Sequence, residues 1–138
     1  MDSLTAEDRA LIAAAQQTIQ ERYRPDWHVV GAALRTRAGR VFTGVHLEAY
    51  VGRIAVCAEA IALGRAATEA GDTEVETIVA VSHPEPDAPD QTIRVVAPCG
   101  MCREMIADYA PTARVIVPGA DGEPVVRRVS ELLPGKYR

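Results

Sequence analysis

The chain has 138 residues, of which 48% are hydrophobic and 25% are charged, which suits a single globular domain with one core over residues 1–138. Its formal net charge of -4 argues against a nucleic-acid partner, because such a protein needs a concentrated basic face. The few aromatic residues also argue against stacking on single strands. We therefore expect a small-molecule substrate. The small basic groups should lie on solvated hairpin and strand surfaces; they comprise Arg35, Arg37, Arg40, Arg127 and Arg128.

Neither a membrane span nor a secretory signal is indicated. The chain contains no run of 18 or more uninterrupted apolar residues, and its N-terminus, Met1–Asp8, is acidic where a secretory signal is basic. Its three cysteines cannot pair completely, and a lone Cys with a C-x-x-C in an intracellular chain indicates metal or redox chemistry. We therefore expect a cytoplasmic protein without a membrane partner.

The first half of the chain predicts a helix, a hairpin and a second helix. An amphipathic helix covers residues 5–22 and begins with the capping-box pattern Thr5-x-x-Asp8. The run 29–34 is apolar throughout, which is typical of a strand with both faces buried, so helices should cover both sides of its sheet. The predicted elements are helix 5–22, strands 27–34 and 41–45, and helix 57–70, capped by Gly71.

The second half predicts four strands and one helix. A Pro-rich polar segment, residues 82–90, can only be a loop, and we expect His83 within it to be solvated. The pattern that follows Pro98 is helical as far as Tyr109, and Pro111 ends it. The remaining predicted strands cover residues 77–81, 93–96, 114–117 and 124–129. This order of elements predicts a three-layer α/β domain.

All three cysteines lie in two short motifs, Cys57-Ala58-Glu59 and Pro98-Cys99-Gly100-Met101-Cys102. Cys99 and Cys102 are three residues apart, so on the first turn of a helix both sulfurs can hold one ion. Cys57 and Glu59 do not share a face of a regular helix, so both reach one site only if that helix points its N-terminus at it. Three thiolates with an open fourth zinc position and a carboxylate as general base indicate a hydrolase.

Two other interpretations of the cysteines stay open on spacing alone. A closed structural zinc site needs a fourth ligand, and the candidates are His28, His46 and His83. A thioredoxin-like dithiol at the C-x-x-C is the second alternative, although it leaves Cys57 and Glu59 without a role.

The two motifs resemble those of the cytidine deaminase and blasticidin-S deaminase family of zinc hydrolases. Residues 30–34 are similar to the family's first strand, and residues 131–137 to its C-terminal segment. The resemblance implies a three-layer α/β/α sandwich with a central five-stranded mixed sheet. It also implies one zinc ion per chain on the three cysteines, Glu59 as proton shuttle, and a homo-oligomer, with a tetramer favoured over a dimer.

The activity that the resemblance implies is hydrolytic deamination of a free aminated pyrimidine nucleoside, such as cytidine, deoxycytidine or an analogue, in pyrimidine salvage. In the implied reaction, water attacks the ring carbon that carries the exocyclic amine; zinc would supply Lewis acidity, and Glu59 would transfer protons as ammonia leaves. The alternative is a blasticidin-S-type deaminase of a nucleoside antibiotic or another aminated heterocycle. A non-catalytic, zinc-stabilised binding protein is a third interpretation, but it has no use for Glu59.

Substrate recognition is where the chain departs from the family. Eleven residues before Cys57, the family's Asn-x-Glu is replaced by His46-Leu47-Glu48. Ala60 stands where many relatives have an Arg that partly neutralises the thiolates, so Arg53 or Arg103 is a candidate for supplying that charge. The candidate substrate-binding residues are His28, His46, Glu48, Ala58, Ala97 and Tyr137.

Overall fold

The computed structural model describes residues 3–138. The predicted domain and the acidic N-terminus begin at Met1 and Asp2, which lie outside the described residues. The α-helices are α1 (Ala6–Arg22), α2 (Ala58–Arg65) and α3 (Gly100–Tyr109). The strands are β1 (Val30–Thr36), β2 (Val41–Val45), β3 (Val75–Ser82), β4 (Arg94–Val96), β5 (Arg114–Pro118) and β6 (Pro124–Arg128). Short 3₁₀-helices cover Gly52–Ile54 and Val129–Leu132, and a π-helical turn, Ala66–Ala70, continues α2.

The strands form one mixed sheet in the order β2-β1-β3-β5-β6. The central strand β3 pairs antiparallel with β1 and parallel with β5. The short strand β4 pairs with residues 80–82 at the far end of β3, beyond the pairing of residues 77–79 with β5. The predicted five-stranded mixed sheet is therefore confirmed, with β4 as a short sixth member.

Helices cover both faces of this sheet, as the apolar run in β1 predicts. One apolar cluster packs α1 against the sheet, and the other packs α2 and α3 against the opposite face. Neighbouring residues of β1 alternate between them, since Ala33 belongs to the first cluster and Leu34 to the second. The three-layer α/β/α architecture is thus confirmed. Among residues 3–138 no helix is long and apolar enough to cross a membrane.

Two glycines allow the helices to lie directly on the sheet. A Cβ on Gly31 would lie 2.8 Å from the Ala15 carbonyl oxygen of α1, and a Cβ on Gly44 would lie 2.6 Å from the Ala62 backbone nitrogen of α2. Because these neighbours are backbone atoms, a change of rotamer could not relieve the contact. Gly44 therefore sets the position of α2, which begins directly after Cys57.

Three elements depart from their predicted boundaries by two residues or more. The sequence predicts a strand from residue 27, whereas the backbone N–H groups of Trp27 and His28 both donate to the Arg24 carbonyl, at 2.9 Å each, and close a turn. Strand β3 runs from Val75 to Ser82 and is longer than the predicted 77–81. The second predicted helix changes to a π-helical turn after residue 65, and Gly71 caps it in the left-handed conformation with φ 59°.

A buried ion network holds α1 on the sheet. The predicted capping box is confirmed, because the Thr5 hydroxyl accepts from the Asp8 N–H and the Asp8 carboxylate accepts from the Thr5 N–H. The fully buried Asp8 carboxylate also accepts from both terminal nitrogens of Arg114 at 2.8 Å. Arg35 lies 3.5 Å from the same carboxylate with its side chain only 12% exposed, so the prediction of a solvated Arg35 is wrong.

The polar segment 82–90 is fixed to the domain at its start. The backbone N–H of His83 donates to the Val29 carbonyl at 2.8 Å. Its ring stacks on Tyr23 at the end of α1, with centroids 3.6 Å apart and planes 12° apart. The prediction of a solvated His83 is therefore wrong, because α1 brings an aromatic partner to this loop.

Candidate active site

Two helices point their N-termini at one place, as the spacing of the motifs predicts. Cys57 is the N-cap residue of α2, and Cys99 is the N-cap residue of α3. Neither side chain makes a capping hydrogen bond to its helix, so both sulfurs remain available to a metal. Cys102 follows on the first turn of α3 and is 1% exposed. Helix N-termini favour thiolates, because unpaired N–H groups and the positive end of the dipole lie beside them.

The three cysteine sulfurs form a cluster that fits a zinc ion. All three lie within 4.8 Å of one another, and the sulfurs of Cys57 and Cys99 are 3.3 Å apart. A tetrahedral zinc with bonds of about 2.3 Å holds its sulfurs about 3.8 Å apart, so small side-chain adjustments are sufficient. Within residues 3–138 this cluster has no fourth Cys, His, Asp or Glu. The donor set therefore leaves zinc one open position, which catalytic zinc requires and structural zinc lacks.

The thiols differ in how readily they ionise. Burial, and then the neighbouring Cys99 thiol, raise the pKa of Cys57 to about 11. Burial also raises the pKa of Cys102. Burial alone would raise the pKa of Cys99. Hydrogen bonds from the Cys102 backbone N–H and the Cys57 thiol outweigh this effect, so the pKa of Cys99 is lowered. Cys99 is accordingly the thiol best prepared to meet a metal as a thiolate.

Glu59 lies beside the cluster without belonging to it. Its side chain is held at the start of α2, two residues after Cys57, and the residue is 6% exposed. Burial raises the pKa of Glu59, while hydrogen bonds from its own backbone N–H and from the Cys102 thiol lower it in part. A buried carboxyl with a raised pKa is suited to both accepting and donating a proton near neutral pH.

A cavity of about 160 Å³ opens between the two motifs. It is lined by Val30, His46, Cys57, Ala58, Glu59, Val96, Ala97 and Cys99. The fold thus brings six of the predicted site residues to one cavity, whereas Val30 and Val96 escaped prediction. Val96 is the last residue of β4, two residues before the Pro98-Cys99 motif, and Val30 is the first residue of β1, which resembles the family's first strand; these positions were a signal that could have identified them. The cavity is smaller than the 300–1,000 Å³ typical of drug-sized ligands, so it suits one ring and leaves the rest of a substrate outside.

His46 is held rigidly in the cavity wall. Its backbone N–H donates to the Val30 carbonyl at 2.8 Å, and its carbonyl accepts from Nδ1 of His28 at 2.9 Å. Its Nε2 lies 3.7 Å from the Glu48 carboxylate, and its buried Nδ1 has no hydrogen-bond partner among the described residues. His28 and Glu48 therefore flank His46 without lining the cavity. Tyr137 is 84% exposed and also lies outside the cavity lining.

The sequence of this site matches a known family. A family model described as the cytidine and deoxycytidylate deaminase zinc-binding region matches residues 5–118. The chain belongs to this family. It is accordingly a zinc-dependent hydrolytic deaminase that acts on a C–N bond, and the Cys57, Cys99 and Cys102 cluster supports the zinc ion. The expectation of an enzyme, against a non-catalytic binding protein, is confirmed.

Individual relatives within the family cover almost the whole chain. The blasticidin-S deaminase of Bacillus cereus is 47% identical over 135 residues, which are 98% of this chain and 95% of the relative. The cytidine deaminase of Halalkalibacterium halodurans is 35% identical over 129 residues, covering 92% of this chain and 91% of the relative. The crystal structure of cytidine deaminase from Burkholderia pseudomallei is 31% identical with a TM-score of 0.74, covering 97% of this chain and all of that one.

Proposed function

We propose that the enzyme deaminates the aminated pyrimidine ring of a free nucleoside-like molecule. The observation that carries the proposal is the small cavity, whose lining includes Glu59, Cys57 and Cys99 together with apolar residues. A planar ring that enters this cavity meets the acid and the thiol cluster together. The sugar or its equivalent then extends past His46 toward Glu48.

The residues of the chain divide the chemistry between them. The three cysteines would hold zinc, which when bound supplies the Lewis acidity that makes water a stronger nucleophile. Val30, Val96 and the alanines at the cavity wall hold the ring and exclude bulk water. Glu59 accepts one proton as water adds to the ring carbon and passes it to the adjacent ring nitrogen. It then accepts the proton of the new hydroxyl group and donates it to the exocyclic nitrogen. The C–N bond then breaks, a carbonyl remains, and ammonia leaves.

Within this class of substrates, we infer that a blasticidin-S-type nucleoside antibiotic is preferred over cytidine. The identity of 47% to a blasticidin-S deaminase, against 35% to a cytidine deaminase, supports this order. His46 supports it as well, because it occupies the position where the sequence resemblance expects an Asn that binds ribose hydroxyls. The imidazole ring of His46 differs in shape from an amide, and its buried Nδ1 has no hydrogen-bond partner among the described residues, so this wall is not built as one for ribose hydroxyls would be.

Ammonia release from zinc-loaded protein tests this proposal. The panel comprises cytidine, deoxycytidine, cytosine and blasticidin S, and we expect kcat/KM for blasticidin S to exceed that for cytidine by about tenfold or more. The matched variant His46→Asn should shift this ratio toward cytidine, because it restores the amide that the sequence resemblance expects to bind ribose hydroxyls. A ratio in favour of cytidine would reverse the preferred substrate, and zinc-loaded protein that releases no ammonia from any member would contradict the proposed function.

We also propose that the enzyme is a homo-oligomer, with a tetramer as the first expectation. Four apolar side chains between β2 and α2 are 40% to 95% exposed, and a patch of this kind often marks an interface. They are Leu47, Tyr50, Val51 and Ile54. Light scattering should give four times the chain mass of 14.8 kDa, and Ile54→Asp should reduce the measured mass. The mass of a single chain for the unmodified protein would contradict this proposal.

A further inference from the structure

Arg103 directly follows Cys102 on the first turn of α3, and its side chain turns back toward the start of the helix. Its Nε donates to the Pro98 carbonyl at 2.8 Å, and its Nη1 donates to the Leu132 carbonyl at 3.0 Å. One half-buried guanidinium therefore joins the residue before Cys99 to the C-terminal 3₁₀-helix. Because both acceptors are backbone carbonyls, these contacts indicate that Arg103 fixes the backbone beside Cys99.

The Pro98 carbonyl has a direct influence on the position of the Cys99 sulfur. The ring of Pro98 fixes its φ, so its ψ is the remaining backbone freedom ahead of Cys99. That angle sets the plane of the Pro98–Cys99 peptide and hence the direction of the Cys99 side chain. A hydrogen bond to the Pro98 carbonyl holds this plane in one orientation.

Of the three cysteines, Cys99 has the greatest need for such support. Cys102 is packed in the core at 1% exposure, and Cys57 is partly buried, whereas Cys99 is exposed. Packing therefore fixes the Cys102 sulfur, but it does little to fix that of Cys99. The orientation of the Cys99 side chain therefore depends on hydrogen bonds to the neighbouring peptide groups, as is common for metal ligands.

The Leu132 carbonyl provides the other anchor. It ends the 3₁₀-helix Val129–Leu132, where a terminal carbonyl lacks a partner within the helix. That helix is attached to the domain by Val129, which is fully buried and whose N–H donates to the Ala113 carbonyl at 3.0 Å. The Leu132 carbonyl thus fixes the guanidinium of Arg103, which in turn holds the Pro98 carbonyl.

We propose that Arg103 is a positioning residue that holds Cys99 ready for the metal by fixing the Pro98 carbonyl. This inference rests on the proposed assignment of Cys99 as a metal ligand. Residues that orient metal ligands typically change metal affinity by about 10- to 100-fold when they are replaced. The expected consequence is a change in zinc affinity, which can be measured without turnover.

The test measures Zn²⁺ affinity of the full-length protein by competition with a chromophoric chelator, together with the absorption spectrum of the Co²⁺-loaded protein. Arg103→Gln should raise the zinc dissociation constant by about 10- to 100-fold and should weaken the thiolate-to-cobalt absorption bands. Arg103→Lys keeps the charge but has a single donor nitrogen in place of the two that Arg103 uses, so it should give a smaller loss. It also serves as the test variant if Arg103→Gln does not fold.

Lys136→Gln is the matched control. Lys136 also ties the C-terminal segment to α3, through its Nζ at 2.8 Å from both the Glu104 and the Asp108 carboxylates, but it makes no contact with the Pro98 carbonyl. It should leave zinc affinity unchanged. An equal loss in Lys136→Gln would overturn the inference, because general loosening of the segment would then explain the effect.

Cys99→Ser distinguishes an error in the role of Arg103 from an error in the assignment of Cys99 as a metal ligand. It should lose more zinc affinity than Arg103→Gln. Loss of affinity in Cys99→Ser together with unchanged affinity and cobalt spectrum in the Arg103 variants would overturn the role of Arg103 alone. Unchanged affinity in Cys99→Ser would overturn the ligand assignment and the inference with it.

Discussion

Glu59→Gln is expected to reduce turnover by about 1,000-fold, the middle of the range for loss of a general acid–base group. The amide has nearly the size of the carboxyl and can still form hydrogen bonds, but it cannot carry a proton between water and the leaving amine. Because Glu59 is 6% exposed, bulk water has little access with which to replace it. Ammonia release under saturating substrate measures the effect.

The interpretation of Glu59→Gln depends on retention of the metal and the fold. Zinc content and melting temperature should match those of the unmodified protein, because Glu59 lies outside the thiol cluster. Glu48→Gln is the matched control, since this carboxylate is 36% exposed and lies 3.7 Å from His46 outside the cavity lining. It should raise KM and leave kcat close to normal. Turnover of Glu59→Gln within tenfold of normal would remove Glu59 from the mechanism.

Asp8→Asn is expected to lower the free energy of unfolding by about 3 kcal/mol at neutral pH, the cost of removing one partner from a buried ion pair. The change leaves Arg114 and Arg35, whose side chains are 16% and 12% exposed, without their shared carboxylate. It also replaces a capping acceptor for the N–H of Thr5. Urea unfolding at pH 7 measures the loss.

The same carboxylate predicts the pH dependence of stability. Burial alone would raise the pKa of Asp8, but hydrogen bonds from Arg114 and Thr5 hold it well below its usual range. A depressed pKa in the folded state contributes stability above the unfolded value of about 3.9 and loses it as the pH falls toward the folded value. The stability difference between the unmodified protein and Asp8→Asn should therefore shrink as the pH is lowered below about 4.

Asp90→Asn is the matched control for this experiment. Asp90 also pairs with an arginine, Arg94, and hydrogen bonds from Thr92 and Arg94 lower the pKa of Asp90 to about 2. Its side chain is 60% exposed, so water screens the pair. Unfolding of Asp90→Asn should match that of the unmodified protein. If Asp8→Asn were equally neutral, the network at α1 would not be a source of stability.

Much of the fold was readable from the sequence because it depends on short-range patterns. Apolar spacing and the capping box predict the helix over 5–22. The apolar run in β1 predicts a sheet covered on both faces. The predicted boundaries were wrong where a tertiary contact or a turn overrode the local sequence pattern. Trp27 and His28 have the composition of a strand, but their hydrogen bonds to the Arg24 carbonyl close a turn.

The sequence by itself determined the chemistry of this protein. Cys57, Glu59, Cys99 and Cys102 indicate zinc and hydrolysis because thiolate spacing on helix N-termini is a local property. Only the tertiary structure decided how the helices are held on the sheet and how the site is supported. Arg114 reaches Asp8 across 106 positions of the chain, and Arg103 meets the Leu132 carbonyl across 29. Such contacts carry no local sequence pattern, because they depend on how distant elements pack against each other.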